Sequence, residues 1–189
     1  MVQAVFFDVL PKEGSVETYF SMAASLRPIV EKNPGFVAVE RFENLQESGW
    51  FFSFSQWRDE LALAQWRCQP DHYGAQVCGR SLILADYRLR VAAQQVGAPI
   101  QSEIKEREQV AMLIGNFAAI EHAFKARLDA GNDLQLFRGV IDAQRGIGLV
   151  NHISGPVEFA ASTQYELRYF EVCRDYGMFD RAQAPQQFA

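Results

Sequence analysis

The stretch GFVAVERFENLQESGWFFSFSQW, residues 35–57, decides how this chain is read. Phe36 to Phe42 and Trp50 to Trp57 are rich in aromatic and β-branched residues, and the polar segment Glu43 to Gly49 lies between them. Two such runs joined by a short turn-like loop read as a β-hairpin. In the second run Trp50, Phe52 and Phe54 alternate with Phe51, Ser53 and Ser55. One face of that strand is therefore tighter or more polar than the other.

Working outward toward the N-terminus, Asn33-Pro34-Gly35 stops a helix. Its apolar stripe is Val16, Tyr19, Phe20, Ala23, Leu26 and Val30, and Ser15 is its expected N-cap. Residues 3–10 precede it, with Val5, Phe6, Phe7, Val9 and Leu10 closed by Pro11. A run apolar on both faces predicts a strand covered on both faces. On the other side of the hairpin, Asp59 and Glu60 open a second helix through Leu61, Ala64 and Trp66. Acidic groups suit the positive end of its dipole. Pro70 breaks or restarts it, a further helical piece runs from about Asp71 to Gly79, and Tyr87 to Val91 alternates strictly as a strand. The order β-α-β-β-α-β is the ferredoxin-like, split-βαβ pattern.

That order recurs. Gly97-Ala98-Pro99 and the charged run Glu103 to Glu108 read as a linker, residues 97–108. Val110 to Ile114 predicts a strand, and Phe117, Ile120, Phe124, Arg127 and Leu128 mark a helix closed by Gly131-Asn132. Leu134 to Ile141 and Ile147 to Ile153 form a second hairpin. Gly155-Pro156 opens a short helix through Phe159 and Ala161, and Tyr165 to Val172 is the last strand. Tyr165-Glu166-Leu167-Arg168 echoes Tyr87-Arg88-Leu89-Arg90. The expected fold class is α+β, with one ferredoxin-like unit in residues 1–96 and a second, degenerate one in 109–189. The shorter second helix predicts a smaller or closed pocket in the second unit.

Composition narrows the function. The 189 residues are 49% hydrophobic and 13% aromatic, with 15 Phe, so a sizeable core is available. Net charge is −5 and no Lys/Arg-dense run occurs, which argues against a nucleic-acid partner. No apolar stretch approaches the roughly 20 residues that span a bilayer. Three cysteines without metal-type spacing, and an N-terminus without the basic start of a signal peptide, make the cytoplasm the expected location. No Walker loop, Gly-x-Gly-x-x-Gly, His-Glu-x-x-His or Cys-x-x-Cys is present, so neither a nucleotide cofactor nor zinc is expected.

Residues 3–92 resemble the antibiotic biosynthesis monooxygenase family. The resemblance is carried by Gly35 to Phe42, Ser53 to Glu60, Ala64-Gln65-Trp66-Arg67, His72 to Gln76, and Gly79-Arg80 leading to Asp86-Tyr87-Arg88-Leu89-Arg90-Val91. A tail similar to that family's, Arg174 to Pro185, arrives some eighty residues late, after the second unit. The family packs sheets face to face as dimers, so the resemblance implies a pseudo-dimeric α+β barrel built inside one chain. Further self-association stays open. A sheet with helices on one side must hide its other apolar face.

The resemblance also implies a pocket between helices and sheet, bordered by Trp66, Asp71, His72 and Tyr73, with Arg80 close in sequence. An imidazole, with an ordinary pKa of about 6.5, suits removal of a proton from an acidic phenol, quinol or anthrone-like substrate. The resulting carbanion would react with dioxygen without metal or flavin. Trp66 would supply a flat wall and an N–H donor, while Arg41, Trp57, Tyr73 and Arg80 would bind the small aromatic substrate. The competing reading makes His72 a helix cap and Trp66 core, in a non-catalytic binding or structural member of the superfamily. Asn151-His152 and His122 read as structural. Haem-degrading relatives place a His about ten residues after the Trp and an Asn on the first strand. Here Gln76 holds the first position and the strand has no Asn, so haem degradation is not expected.

Overall fold

The structure, a computed structural model, describes residues 1–99, 107–128 and 133–185, with side chains at 126–128 left aside. Eight strands and four helices follow in the order β1 (Gln3–Pro11), α1 (Val16–Val30), β2 (Phe36–Asn44), β3 (Phe51–Trp57), α2 (Glu60–Arg67), α3 (Pro70–Cys78), β4 (Leu84–Gln94), β5 (Gln109–Asn116), α4 (Phe117–Leu128), β6 (Leu134–Gly139), β7 (Arg145–Val150) and β8 (Tyr165–Gly177). A π-helical turn, Gly79–Ile83, joins α3 to β4. No helix among the described residues is long and apolar enough to cross a membrane.

All strands belong to one closed antiparallel barrel in the order β1-β3-β2-β6-β7-β5-β8-β4. Each unit contributes four consecutive strands of that ring, in mirrored order. The units join edge to edge at two seams, β2 with β6 and β4 with β8. Ion pairs reinforce the first seam, Glu40 with Arg145 at 2.9 Å and Glu43 with Arg138 at 3.6 Å. The tandem ferredoxin-like architecture expected from the sequence is what forms, and the helix-free faces of both units turn inward.

Strand alternation explains the core. Ala4 and Phe6 of β1, Phe52 and Phe54 of β3, Ala92 of β4, Met112 of β5 and Phe170 of β8 all point into the barrel, where they form one buried cluster. Phenylalanines cross between units there. Phe52 stacks on Phe137 at 4.6 Å, and Phe6 meets Phe170 edge-on at 5.1 Å. At one end of this apolar filling the fully buried Arg90 reaches Asn151 Oδ1 at 2.8 Å and Asp8 at 3.3 Å. Burial pushes the Asp8 carboxyl up, against the pull of Arg90.

Several sequence expectations are corrected. The segment after Gly155-Pro156 forms no helix. Val157 and Phe159 instead pack from irregular backbone on the second unit's helix cluster, and their spacing of two matches an extended chain. The second unit is therefore β-α-β-β-β. Arg174, Asp175 and Tyr176, read as a tail, continue β8 to Gly177 beyond a bulge that steps over Cys173. Strand β4 is longer than Tyr87 to Val91 at both ends. Asn151 and His152 follow β7 rather than lying in it, and His152 has φ 52°. Ser15 occupies the α1 N-cap without a side-chain capping bond, whereas Asp59 accepts from Ala62 N at 2.9 Å and caps α2. Pro70 restarts the helix as the first residue of α3. The Gly131-Asn132 stop and most of the 97–108 linker lie outside the described residues.

Because Phe137 of the second unit stacks on Phe52 of the first, Phe137→Ala should cost about 3–5 kcal/mol. Denaturant unfolding should show this as a shift of a single transition. Two separated transitions would contradict the shared core.

Candidate functional site

Outward-facing residues of the first unit's strands do not pack flush against their helices. Between that sheet face and α1, α2 and α3 lies a cavity of about 260 Å³. Its floor carries Ser53, Ser55 and Trp57 from β3, beside Val5 and Phe7 from β1. Two small serines leave the floor low, and the break between α2 and α3 holds the roof away from it. The second unit differs at the equivalent strand. A Cβ added to Gly148 of β7 would come within 2.4 Å of the Phe124 ring, which rests directly on bare backbone. The same cluster is completed by Ile120 and Phe159, so that face is packed solid.

The helix break creates the most distinctive arrangement. Trp66 lies in the last turn of α2 and His72 in the first turn of α3. The Gln69 side chain accepts from His72 N at 2.7 Å and sets the entry angle. The imidazole stacks on the Trp66 indole, 4.3 Å between ring centres and 16° from parallel, and Trp66 in turn stacks on Trp57 at 6.2 Å. His72 Nδ1 lies 2.9 Å from the Trp66 carbonyl oxygen. A carbonyl only accepts, so Nδ1 carries the hydrogen and Nε2 holds the free lone pair. Gln76 Nε2 approaches the same nitrogen at 3.2 Å but donates to Arg67 O at 3.0 Å. Burial lowers the His72 pKa to about 4, only partly opposed by the bond to Trp66. The ring is neutral at physiological pH, a hydrogen-bond acceptor and a weak base.

All six residues proposed from sequence for catalysis or binding border this one cavity: Arg41, Trp57, Trp66, His72, Tyr73 and Arg80. Asp71 does not. Its carboxylate accepts from Gln69 Nε2 at 2.8 Å, outside the cavity wall. Arg41 extends from β2 opposite Ser53 and donates toward the hydroxyl of Tyr19 on α1. Burial pushes the Tyr19 phenol up and the Arg41 guanidinium pulls against it. Trp57 donates from Nε1 to Ser55 Oγ at 3.0 Å, Tyr73 stands at the rim, 38% exposed, and Arg80 projects from the π-helical turn.

Among the wall residues that escaped the sequence reading as site residues are Tyr19, Arg174, Tyr176 and Arg181. The last three come from the second unit. Arg174 and Tyr176 sit on the β8 extension, with Arg174 bound to Glu60 of α2 at 2.7 Å. Arg181 donates to Tyr87 Oη at 2.6 Å. Strict alternation along β8 would place Arg174 and Tyr176 inward with Phe170 and Val172, so the sequence pattern carries no signal for them. The bulge at Cys173 turns them outward by shifting the register. Of the other histidines, His122 is exposed on α4, and His152 lies 3.7 Å from Glu108 and 3.6 Å from Asp133, away from the cavity. Among the described residues no group of three His, Cys, Asp or Glu side chains converges as a metal site would require.

Comparison with known proteins follows this geometry. The family model described as antibiotic biosynthesis monooxygenase matches residues 2–76. A Pyricularia oryzae protein named jasmonate monooxygenase ABM is 31% identical over 209 aligned positions, covering 97% of this chain and 96% of its own. Among solved structures, a Fusobacterium nucleatum protein described as a candidate monooxygenase is similar over 92% of this chain and 93% of its own, at 7% identity and a TM-score of 0.46. An anthrone oxidase-like protein is similar over 97% of this chain and 96% of its own, at 12% identity and a TM-score of 0.40.

The buried imidazole yields a direct measurement. The unfolded chain binds a proton at His72 below about pH 6.5, the ordinary histidine value. The native ring refuses that proton until about pH 4. Stability contributed by this group should therefore be full above about pH 6.5 and decline as pH falls toward 4. An NMR titration of the His72 ring should give a midpoint near 4, and a midpoint near 6.5 would place the ring in solvent.

Proposed function

Since the chain belongs to the antibiotic biosynthesis monooxygenase family, we propose that it oxygenates a small, mainly apolar molecule with dioxygen inside the first-unit cavity. The family membership rests on the curated relative, matched over nearly the full length of both chains. The observation that carries the reaction is the neutral His72 with its tautomer set, stacked on Trp66 at an apolar cavity wall.

The favoured substrate class is an aromatic whose ring activates a C–H bond, such as a phenol, quinol or anthrone. His72 Nε2 accepts the proton as the carbanion forms. The pair so created is an imidazolium and an anion in a low-dielectric site, which raises the basicity of the ring just when the proton arrives. The carbanion gives its electrons to dioxygen. One oxygen atom stays on carbon as a carbonyl and the other leaves as water with both hydrogens of the methylene, which an anthrone carries as such and a phenol or quinol carries in its keto tautomer. That carbon supplies all four electrons, so the balance closes without an external reductant. Trp57 and Trp66 offer flat faces for the substrate ring beside the imidazole.

A second reading has one observation of its own. A base with a pKa of about 4 is far from the optimum for proton abstraction near neutrality, which suits a non-catalytic binding protein. Oxygen consumption separates the two. A panel of polyphenols, anthrones and jasmonate, after which the relative is named, should include a substrate that drives oxygen uptake. His72→Ala should lower that rate by roughly 10²–10⁴-fold, the span of general-base catalysis. Unchanged turnover in His72→Ala removes the proposed base, and no uptake with any compound favours the binding reading.

A further inference from the structure

The proposed oxygenase reading leaves the charge of the cavity unexplained. In a chain of net charge −5, six arginines border this cavity: Arg27, Arg41, Arg67, Arg80, Arg174 and Arg181. Among the described residues no Asp or Glu borders it. Some of this charge is matched from outside, since Arg27 pairs with Glu31 and Arg174 with Glu60. Arg41 is not matched. Its Nε is buried without a hydrogen-bond partner, as is that of Arg174, but unlike Arg174 it has no carboxylate of the described residues within ion-pair distance. The acidic residues flanking it on β2, Glu40 and Glu43, are held by Arg145 and Arg138 of the second unit.

A guanidinium nitrogen shut off from water with nothing to receive its hydrogen is costly, and each such group asks for an explanation. Arg41 lies beside the phenol of Tyr19, itself 5% exposed, and across the strand pair from Ser53. These groups offer a guanidinium fork and hydroxyl donors, the set that recognises a planar oxyanion. Ser53 stands four residues from Trp57 on β3, so the Arg41 level and the Trp57–Trp66–His72 stack are separated by roughly 13 Å of strand. The space between them is lined by Val5, Phe7 and Val39.

We propose that this cavity takes an amphipathic organic acid, with its carboxylate on Arg41 and Tyr19 and its apolar body running along β3 toward Trp66 and His72. The inference rests on the oxygenase reading only in taking the cavity as the ligand site. Arg41 then positions the substrate by its charged end and places the remote carbon, not the one next to the carboxylate, at the imidazole. The second unit contributes by holding Glu43, which shares the Arg41 face of β2, through Arg138.

The test is equilibrium binding, independent of turnover. The probes are 1-naphthaleneacetate and its neutral primary amide, which share shape and differ in charge. Quenching of tryptophan fluorescence reports both, because Trp57 and Trp66 border the cavity. Wild type should bind the carboxylate at least tenfold more tightly than the amide, within the range of a charge-assisted pair. Arg41→Gln should abolish that preference while leaving amide affinity within about twofold, and Arg41→Lys should keep part of it. Arg41→Lys also serves if the Gln variant does not fold. His72→Ala should retain the preference. Equal binding of the two probes, binding of neither, or a preference surviving in Arg41→Gln would each overturn the assignment. A carboxylate preference without oxygen uptake on any substrate would leave it standing and sink the oxygenase reading instead.

Discussion

A sheet that carries helices on one side has a bare apolar side, and the rest of this structure depends on where that side goes. Here two bare sides meet within one chain. The contact is aromatic: Phe6, Phe52 and Phe54 from the first unit reach Phe137 and Phe170 from the second, and none of the five is more than 2% exposed. Because these rings fill the barrel, the cavity lies on the outside of the sheet, beneath the helices. The division between a solid lumen and a hollow outer layer thus follows from strand alternation, which sends Phe52 and Phe54 one way and Ser53 and Ser55 the other.

The two units have diverged at that outer layer through very small changes of backbone cover. In the first, serines on β3 and a helix interrupted at Pro70 leave room. In the second, glycine at 148 lets the Phe124 ring settle onto the strand and no second helix forms. With its own outer face packed solid, the second unit takes part in its neighbour's cavity. The β8 extension ties α2 through Arg174 and Glu60, and Arg181 reaches Tyr87. Strand β8 runs thirteen residues against six in β6 and β7, and its last residues form part of the cavity wall.

Much of this was legible beforehand. The aromatic hairpin, the polar Glu43 to Gly49 turn and the two repeated closing strands specified the element order, because periodicity and turn chemistry are local. The six residues grouped by resemblance do share one cavity, as residues drawn from β2, β3, α2, α3 and the π-helical turn. What could not be read was set by register. A single bulge at Cys173 decides which face Arg174 and Tyr176 occupy, and a bulge leaves no compositional mark. The short segment after Pro156 failed for a related reason. Its Ala160-Ala161 pair reads as helical, while the anchoring of Val157 and Phe159 on a neighbouring cluster settles it as extended. Nor does sequence show that the Trp66 carbonyl selects the His72 tautomer, since that bond exists only once the two helices meet at their observed angle.

The seam between β4 and β8 has a consequence for biosynthesis. Translation proceeds from the N-terminus, so β1 to β4 leave the ribosome well before β8 exists. During that interval the open ring presents two unpaired edges, β2 and β4, and a naked phenylalanine surface. Arg174 and Arg181 are made only after the whole of the first unit and β5 to β7. A nascent chain therefore holds His72 and the first-unit helices long before it can complete the cavity wall around them, and the enclosure arrives in one step, with β8.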